Sequence, residues 1–189
     1  MKAIAYPAAA LLALGTAAAN AADLEITLGD QAAAIHVLAD SDVIGVGGAD
    51  LDFGLLFNDD SDVMGSIGML AHGTPAGDQP WTFGLGGRLY YASIDTPDRS
   101  VGALALGGSA MYHIPGHTPM AFGGDLFFAP SITTFADGDS FLHWGVRFEA
   151  DVLPSATAFI GYRKVTADLD QHGDYDIDDS FHLGVRFSF

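Results

Sequence analysis

Arginines and carboxylates recur one residue out of phase with large apolar side chains, and that spacing limits the chemistry open to them. Arg88, Arg147, Arg163 and Arg186 fall on the small or charged face of their segments, together with Asp50, Asp52, Asp125, Glu149, Asp151, His143 and His182. In an extended chain alternate residues point to opposite sides, so these groups share one side of their strands. Guanidinium forks pair with carboxylates through two hydrogen bonds, and charges taken out of water must be paired. The chemistry implied is an interior ion-pair network. A narrow ion path lined by the same charges is the functional alternative.

A second set of acids sits in turns: Asp59, Asp60 and Asp62; Asp95 and Asp98; Asp137 and Asp139; Asp170, Asp174, Asp176, Asp178 and Asp179. The run Asp174-x-Asp176-x-Asp178-Asp179 is spaced like the start of a calcium loop, but it lacks the downstream Gly and the closing Glu. Acidic solvation, or divalent bridging to lipopolysaccharide phosphates, is the simpler reading. His72, His113 and His117 lie in or beside turns, where solvation again suffices, so no metal set is assigned. No Gly-x-Ser-x-Gly, His-x-Ser or other paired nucleophile stands at a convincing position. Neither an enzyme nor a cofactor is expected.

Strands must position these groups. From Gly45 the chain divides into eight segments: 45–58, 62–71, 80–94, 100–113, 118–133, 140–153, 156–169 and 177–189. Pro, Gly, Asn and Asp punctuate them. Within them apolar and small or polar residues alternate, as with Trp81, Phe83, Leu85, Leu89 and Tyr91 against Thr82, Gly84, Gly86, Arg88 and Tyr90. The last nine residues do the same: Phe181, Leu183, Val185, Phe187 and Phe189 against His182, Gly184, Arg186 and Ser188. A strand that closes on an aromatic residue looks like the final strand of a bacterial outer-membrane barrel. Phe187 and Phe189 then form the signal read by the barrel-assembly machinery.

The amino terminus points to the same compartment. After Lys2, an apolar run from Ala8 to Ala19 leads into Ala19-Asn20-Ala21, a secretory signal peptide cut after Ala21. The run is shorter than the ~20 residues of a spanning helix. Cysteine is absent, which excludes disulfide and thiolate chemistry, and the net charge of −17 repels nucleic acid. Glycine, 24 of 189 residues, disfavours helices but suits tight barrels.

Alternation alone fits a water-soluble barrel with its apolar face inward or a membrane barrel with its apolar face toward lipid. Segments long enough to cross at a tilt, glycines on the small face and aromatics near segment ends favour the membrane. The soluble alternative is a lipocalin-like periplasmic barrel. The expected fold is all-β, an antiparallel transmembrane up-and-down barrel of eight strands, in the outer membrane of a Gram-negative bacterium. Asp23–Leu38 is left over; it reads as two further strands, making ten, or as a short hairpin or plug. The domain plan is a signal at 1–21, this N-terminal piece at 22–44 and the barrel at 45–189. Partners are outer-membrane lipid, lipopolysaccharide and the assembly machinery, with no nucleic acid.

Four stretches carry a family resemblance: 51–60 (LDFGLLFNDD), 83–90 (FGLGGRLY), 159–163 (FIGYR) and 183–189 (LGVRFSF). Together they resemble the YfaZ family of predicted outer-membrane proteins. The resemblance implies an outer-membrane barrel of undefined role and supplies no catalytic residues. A structural or envelope role is expected, with a narrow channel for ions or small solutes as the alternative. An outer-membrane enzyme or a soluble ligand-binding barrel comes after these.

Overall fold

In the computed structural model, residues 22–44, 47–76, 79–96, 98–116, 118–169 and 173–189 are described. The signal segment 1–21, His117 and Asp170 lie outside them. The described residues form eleven strands. These are β1 (Ala22–Gly29), β2 (Ala32–Asp40), β3 (Ala49–Asn58), β4 (Val63–Gly73), β5 (Trp81–Ile94), β6 (Arg99–Ile114), β7 (Met120–Ala129), β8 (Thr134–Ala136), β9 (Gly138–Leu153), β10 (Ala156–Leu169) and β11 (Gly173–Ser188). Each pairs antiparallel with its neighbours, and β5 pairs with β6 to close the ring.

The ring has ten strands, not eight. Leu24, Ile26 and Leu28 on β1 and Ile35 and Val37 on β2 carry the same outward apolar alternation as the later strands. Circular closure runs through these two strands: β1 bonds β11 along residues 23–29, and β2 bonds β3 along 32–40. The short β8 is the eleventh strand. It continues along β6 beyond the end of β7, after a single 3-10 turn at Ser131–Thr133 that the predicted 118–133 segment did not foresee.

The burial pattern settles which face is which. Leu85 is 74% exposed, Leu106 69% and Ile160 64%, all on the outer wall. Asp52, Glu25, Arg163 and Glu149 are buried inside. Large apolar side chains outside and charges inside is the inverse of a soluble barrel and the pattern of a membrane barrel. Trp81 packs on Tyr112 at 5.0 Å near one rim, and outward Lys164 pairs with Asp176 and Asp179 near the other. The chain is thus an outer-membrane β-barrel. The end that carries Ala22 and Ser188 is the periplasmic one.

The interior is divided by depth. Its outer half holds an apolar plug in which Tyr90, Ile94, Val101, Phe127, Phe141, Val165 and Ile177 are each at most 1% exposed. From Tyr90 to Ile94 the plug runs about 13 Å along the strand. Above it, buried Asp62 ties the outer turns together. Its carboxylate accepts from the Tyr175 hydroxyl (2.7 Å), Asn58 Nδ2 (2.9 Å) and the Asp95 backbone N–H (2.9 Å). Asp62 is therefore a structural clip and not a solvated loop acid.

Candidate functional site: a charged lumen below an apolar plug

The periplasmic half of the interior is polar. Two glycines show why the charges fit. Gly68 on β4 stands in register between Asp52 on β3 and Arg88 on β5. A Cβ at Gly68 would lie 3.0 Å from Arg88 Nε, so its absence lets Arg88 lean across the strand. Arg88 Nη2 then donates to Asp52 Oδ2 at 2.5 Å, and the other Asp52 oxygen meets His36 Nδ1 at 2.8 Å. Gly54 likewise separates His36 from Ser66, and both side chains occupy the space its Cβ would fill. A small barrel uses interior glycines as gaps for its neighbours' side chains.

Nearer the mouth, two arginines and two glutamates form a closed square. Arg147 contacts Glu25 at 3.1 Å and Glu149 at 3.2 Å; Arg186 contacts the same two at 3.1 and 3.2 Å. Each carboxylate faces two cations, the arrangement that offsets desolvation. At the rim, exposed Asp50 pairs with His72 at 2.9 Å, and Asp151 accepts from the Thr157 hydroxyl at 2.7 Å.

Where the lumen meets the plug, Arg88 lies over the Phe127 ring at 4.6 Å, and His143 Nδ1 bonds the Tyr90 hydroxyl at 2.6 Å. Asp125 Oδ2 is 3.7 Å from His143 Nε2, too long for a hydrogen bond. Arg163 Nε donates to Asp178 Oδ2 at 2.5 Å, and Ser180 Oγ donates to the other Asp178 oxygen at 2.6 Å. All nine charges predicted for the interior line this lumen or its mouth. They form several local pairs and one square, not one continuous network.

Three partners escaped the sequence reading. Glu25, which bonds both arginines of the square, and His36 lie in the stretch left over before the first predicted segment. The Leu24-Glu25-Ile26-Thr27-Leu28 alternation is the signal that marks Glu25 as inward. Asp178 was placed in the outer acidic run. A bulge on β11 opposite Val165 and Thr166 puts Ile177 and Asp178 both inside, while Asp176 and Asp179 face outward onto Lys164. The calcium-loop spacing therefore does not converge: its acids are split between two faces of the wall. Among the described residues no cluster of three or more His, Asp or Glu is arranged to hold a metal ion. Phe187 is outward on β11 opposite Leu24 and Ala156, and Phe189 is 76% exposed at the periplasmic end.

The lumen encloses a cavity of about 480 Å³ that borders a wider mouth of about 780 Å³, the two sharing Asp50, His72, Arg147 and Arg186. Access is from the periplasm, and the cavity reaches Phe127 of the plug at its inner end.

A family model described as YfaZ precursor matches residues 1–189. No curated protein matches the chain. Among solved structures, the chain is similar to the KdgM porin at 8% identity and a TM-score of 0.47, over 89% of this chain and 99% of that one. It is similar to the NanC porin at 17% identity and a TM-score of 0.39, over 89% and 99%. A bacterial polysaccharide outer membrane secretin is similar at 12% identity and a TM-score of 0.43, over 86% of this chain and 57% of that one. At these identities and scores the likeness says nothing about what this chain carries.

Proposed function

The chain belongs to the YfaZ family, and we propose that within the outer membrane this barrel is a narrow, gated channel for small polar solutes, seen here closed on its outer side. One observation carries the reading: a polar, charged cavity of about 480 Å³ opens to the periplasm and stops on the apolar plug. A polar lumen open to the periplasm holds water, which a small polar solute can replace. Apolar constrictions gate by excluding water, and the plug has that composition. The arginines and acids below it supply both signs of charge to a passing solute.

The test is single-channel recording of the mature barrel in planar bilayers. Sparse, small openings of the wild-type protein are expected, with a higher open fraction in Phe141→Ala, which removes a plug ring packed 4.5 Å from Tyr90. A wild-type barrel that is folded, as shown by a shift between boiled and unboiled gel bands, yet never opens would leave the structural role as the better reading.

A further inference from the structure

Three charged side chains at the inner end of the lumen keep a polar atom without a partner. Arg163, only 8% exposed, spends Nε on Asp178 and leaves Nη2 unbonded. Arg88 spends Nη2 on Asp52 and leaves Nε unbonded. Asp125, with 32% of its side-chain surface exposed, leaves Oδ2 without a hydrogen bond, 3.7 Å from His143 Nε2. A buried donor without an acceptor costs about 1–3 kcal/mol, and more when it is charged. Orphans of both signs at one place therefore call for explanation.

The register brings Asp125 and Arg163 together. Gly145 stands between Asp125 on β7 and Arg163 on β10, so nothing separates those side chains across β9. Arg88, Arg147 and Arg163 all act electrostatically on Asp125. Arg88, Asp125 and Arg163 all line the cavity of about 480 Å³, a size within the ~300–1,000 Å³ of small-molecule sites.

We propose that this inner end is a binding subsite for a small solute carrying an anionic oxygen group and, beside it, a hydroxyl or amine. The anionic oxygens accept from the guanidinium groups of Arg163 and Arg88, which turn their shielded Nη2 and Nε toward the cavity as the solute binds. The hydroxyl or amine donates to the Asp125 carboxylate. A bare anion meets the two arginines but is repelled by Asp125, and a neutral polyol leaves both arginine donors unmet. Only the combination satisfies donors and acceptor at once, which is how buried polar groups discriminate between ligands of similar size. The subsite deepens the channel reading and rests on the same lumen. It puts the bound solute against the face of the plug, since Arg88 lies on the Phe127 ring.

The experiment is calorimetric titration of the detergent-folded mature barrel with glucuronate, with glucose as its neutral counterpart and with inorganic phosphate. Saturable glucuronate binding is expected, at least tenfold tighter than glucose and tighter than phosphate. Arg163→Lys keeps a cation for Asp178 but loses Nη2, and weakens glucuronate about tenfold or more. Asp125→Ala breaks no hydrogen bond described above, so it serves where Arg163→Lys fails to fold. It weakens glucuronate about tenfold and leaves phosphate unchanged or tighter. Equal binding of glucose and glucuronate, no saturable heat with glucuronate, or wild-type glucuronate affinity in a folded variant overturns the subsite. Binding without conductance overturns the channel and spares the subsite, and conductance without glucuronate selectivity does the reverse.

Discussion

Replacing Arg163 by Met probes the buried ion pair that it forms with Asp178. Asp178 has no exposed side-chain surface, and its carboxylate is held by Arg163 Nε at 2.5 Å and Ser180 Oγ at 2.6 Å. Arg163→Met leaves that carboxylate buried with one hydroxyl partner. Breaking a buried pair in this way destabilises by about 3–5 kcal/mol. At about 1.4 kcal/mol per tenfold, the unfolding constant rises by roughly two to three and a half orders of magnitude. Arg163→Met with Asp178→Leu removes both charges and keeps apolar volume, and such replacements are often close to neutral. The double variant should therefore regain most of what the single one loses. Asp178→Leu alone is milder than Arg163→Met, because Arg163 borders the cavity and Asp178 does not. The assay is reversible urea unfolding in lipid vesicles, followed by the gel-mobility shift of the folded barrel. If Asp178 lay in the outer turn with the neighbouring acids, its charge would be indifferent to position 163. An Arg163→Met loss below about 1 kcal/mol, or a double variant as unstable as the single, would refute the pair.

Ile160→Arg places a charge on the outer wall of β10, at a side chain 64% exposed. In a bilayer it should destabilise by about 2–4 kcal/mol near the midplane, whereas a soluble barrel would tolerate it, so the same urea assay reads the inside-out assignment directly. Asp62→Ala leaves the Tyr175 hydroxyl, the Asn58 amide and the Asp95 N–H without their acceptor. Each orphan costs about 1–3 kcal/mol at most, so faster protease cutting at the outer turns is expected, and unchanged cutting would remove the clip. Gly68→Val brings a branched side chain to a point where a Cβ alone meets Arg88 Nε at 3.0 Å and Cγ at 3.3 Å. It should displace Arg88 from Asp52 and lower the unfolding midpoint; a midpoint equal to that of Gly65→Val, at a glycine with no close neighbour inside 3.8 Å, would show the gap to be idle.

Period-two alternation is a local property, so the chain's residues alone specified strands, their two faces and the membrane-barrel character. Arg88, Arg147, Arg163 and Arg186 could be put on the inner face because each lies within a few residues of outward aromatics on the same strand. Segment ends at Asn58, Ile94, Leu153 and Leu169 could be read from turn residues. Strand number could not, because Leu24–Leu28 and Ile35–Val37 look like any short alternating stretch until β11 and β3 bond to them. Partners could not either: Glu25 meets Arg147 and Arg186 across 122 and 161 residues of sequence, a distance only ring closure spans. One extra residue at Ile177 inverts parity only toward the outer turn, so Asp176 faces outward, while Asp178 keeps the inward parity of Ser180 and is hidden in the sequence only by the acidic run it closes. Depth along the barrel is the last thing alternation leaves open. Inward residues near the outer turns pack as a plug and those near the periplasm line a charged cavity, because strand tilt and stagger, set by the register of all ten strands together, decide which side chains share a level.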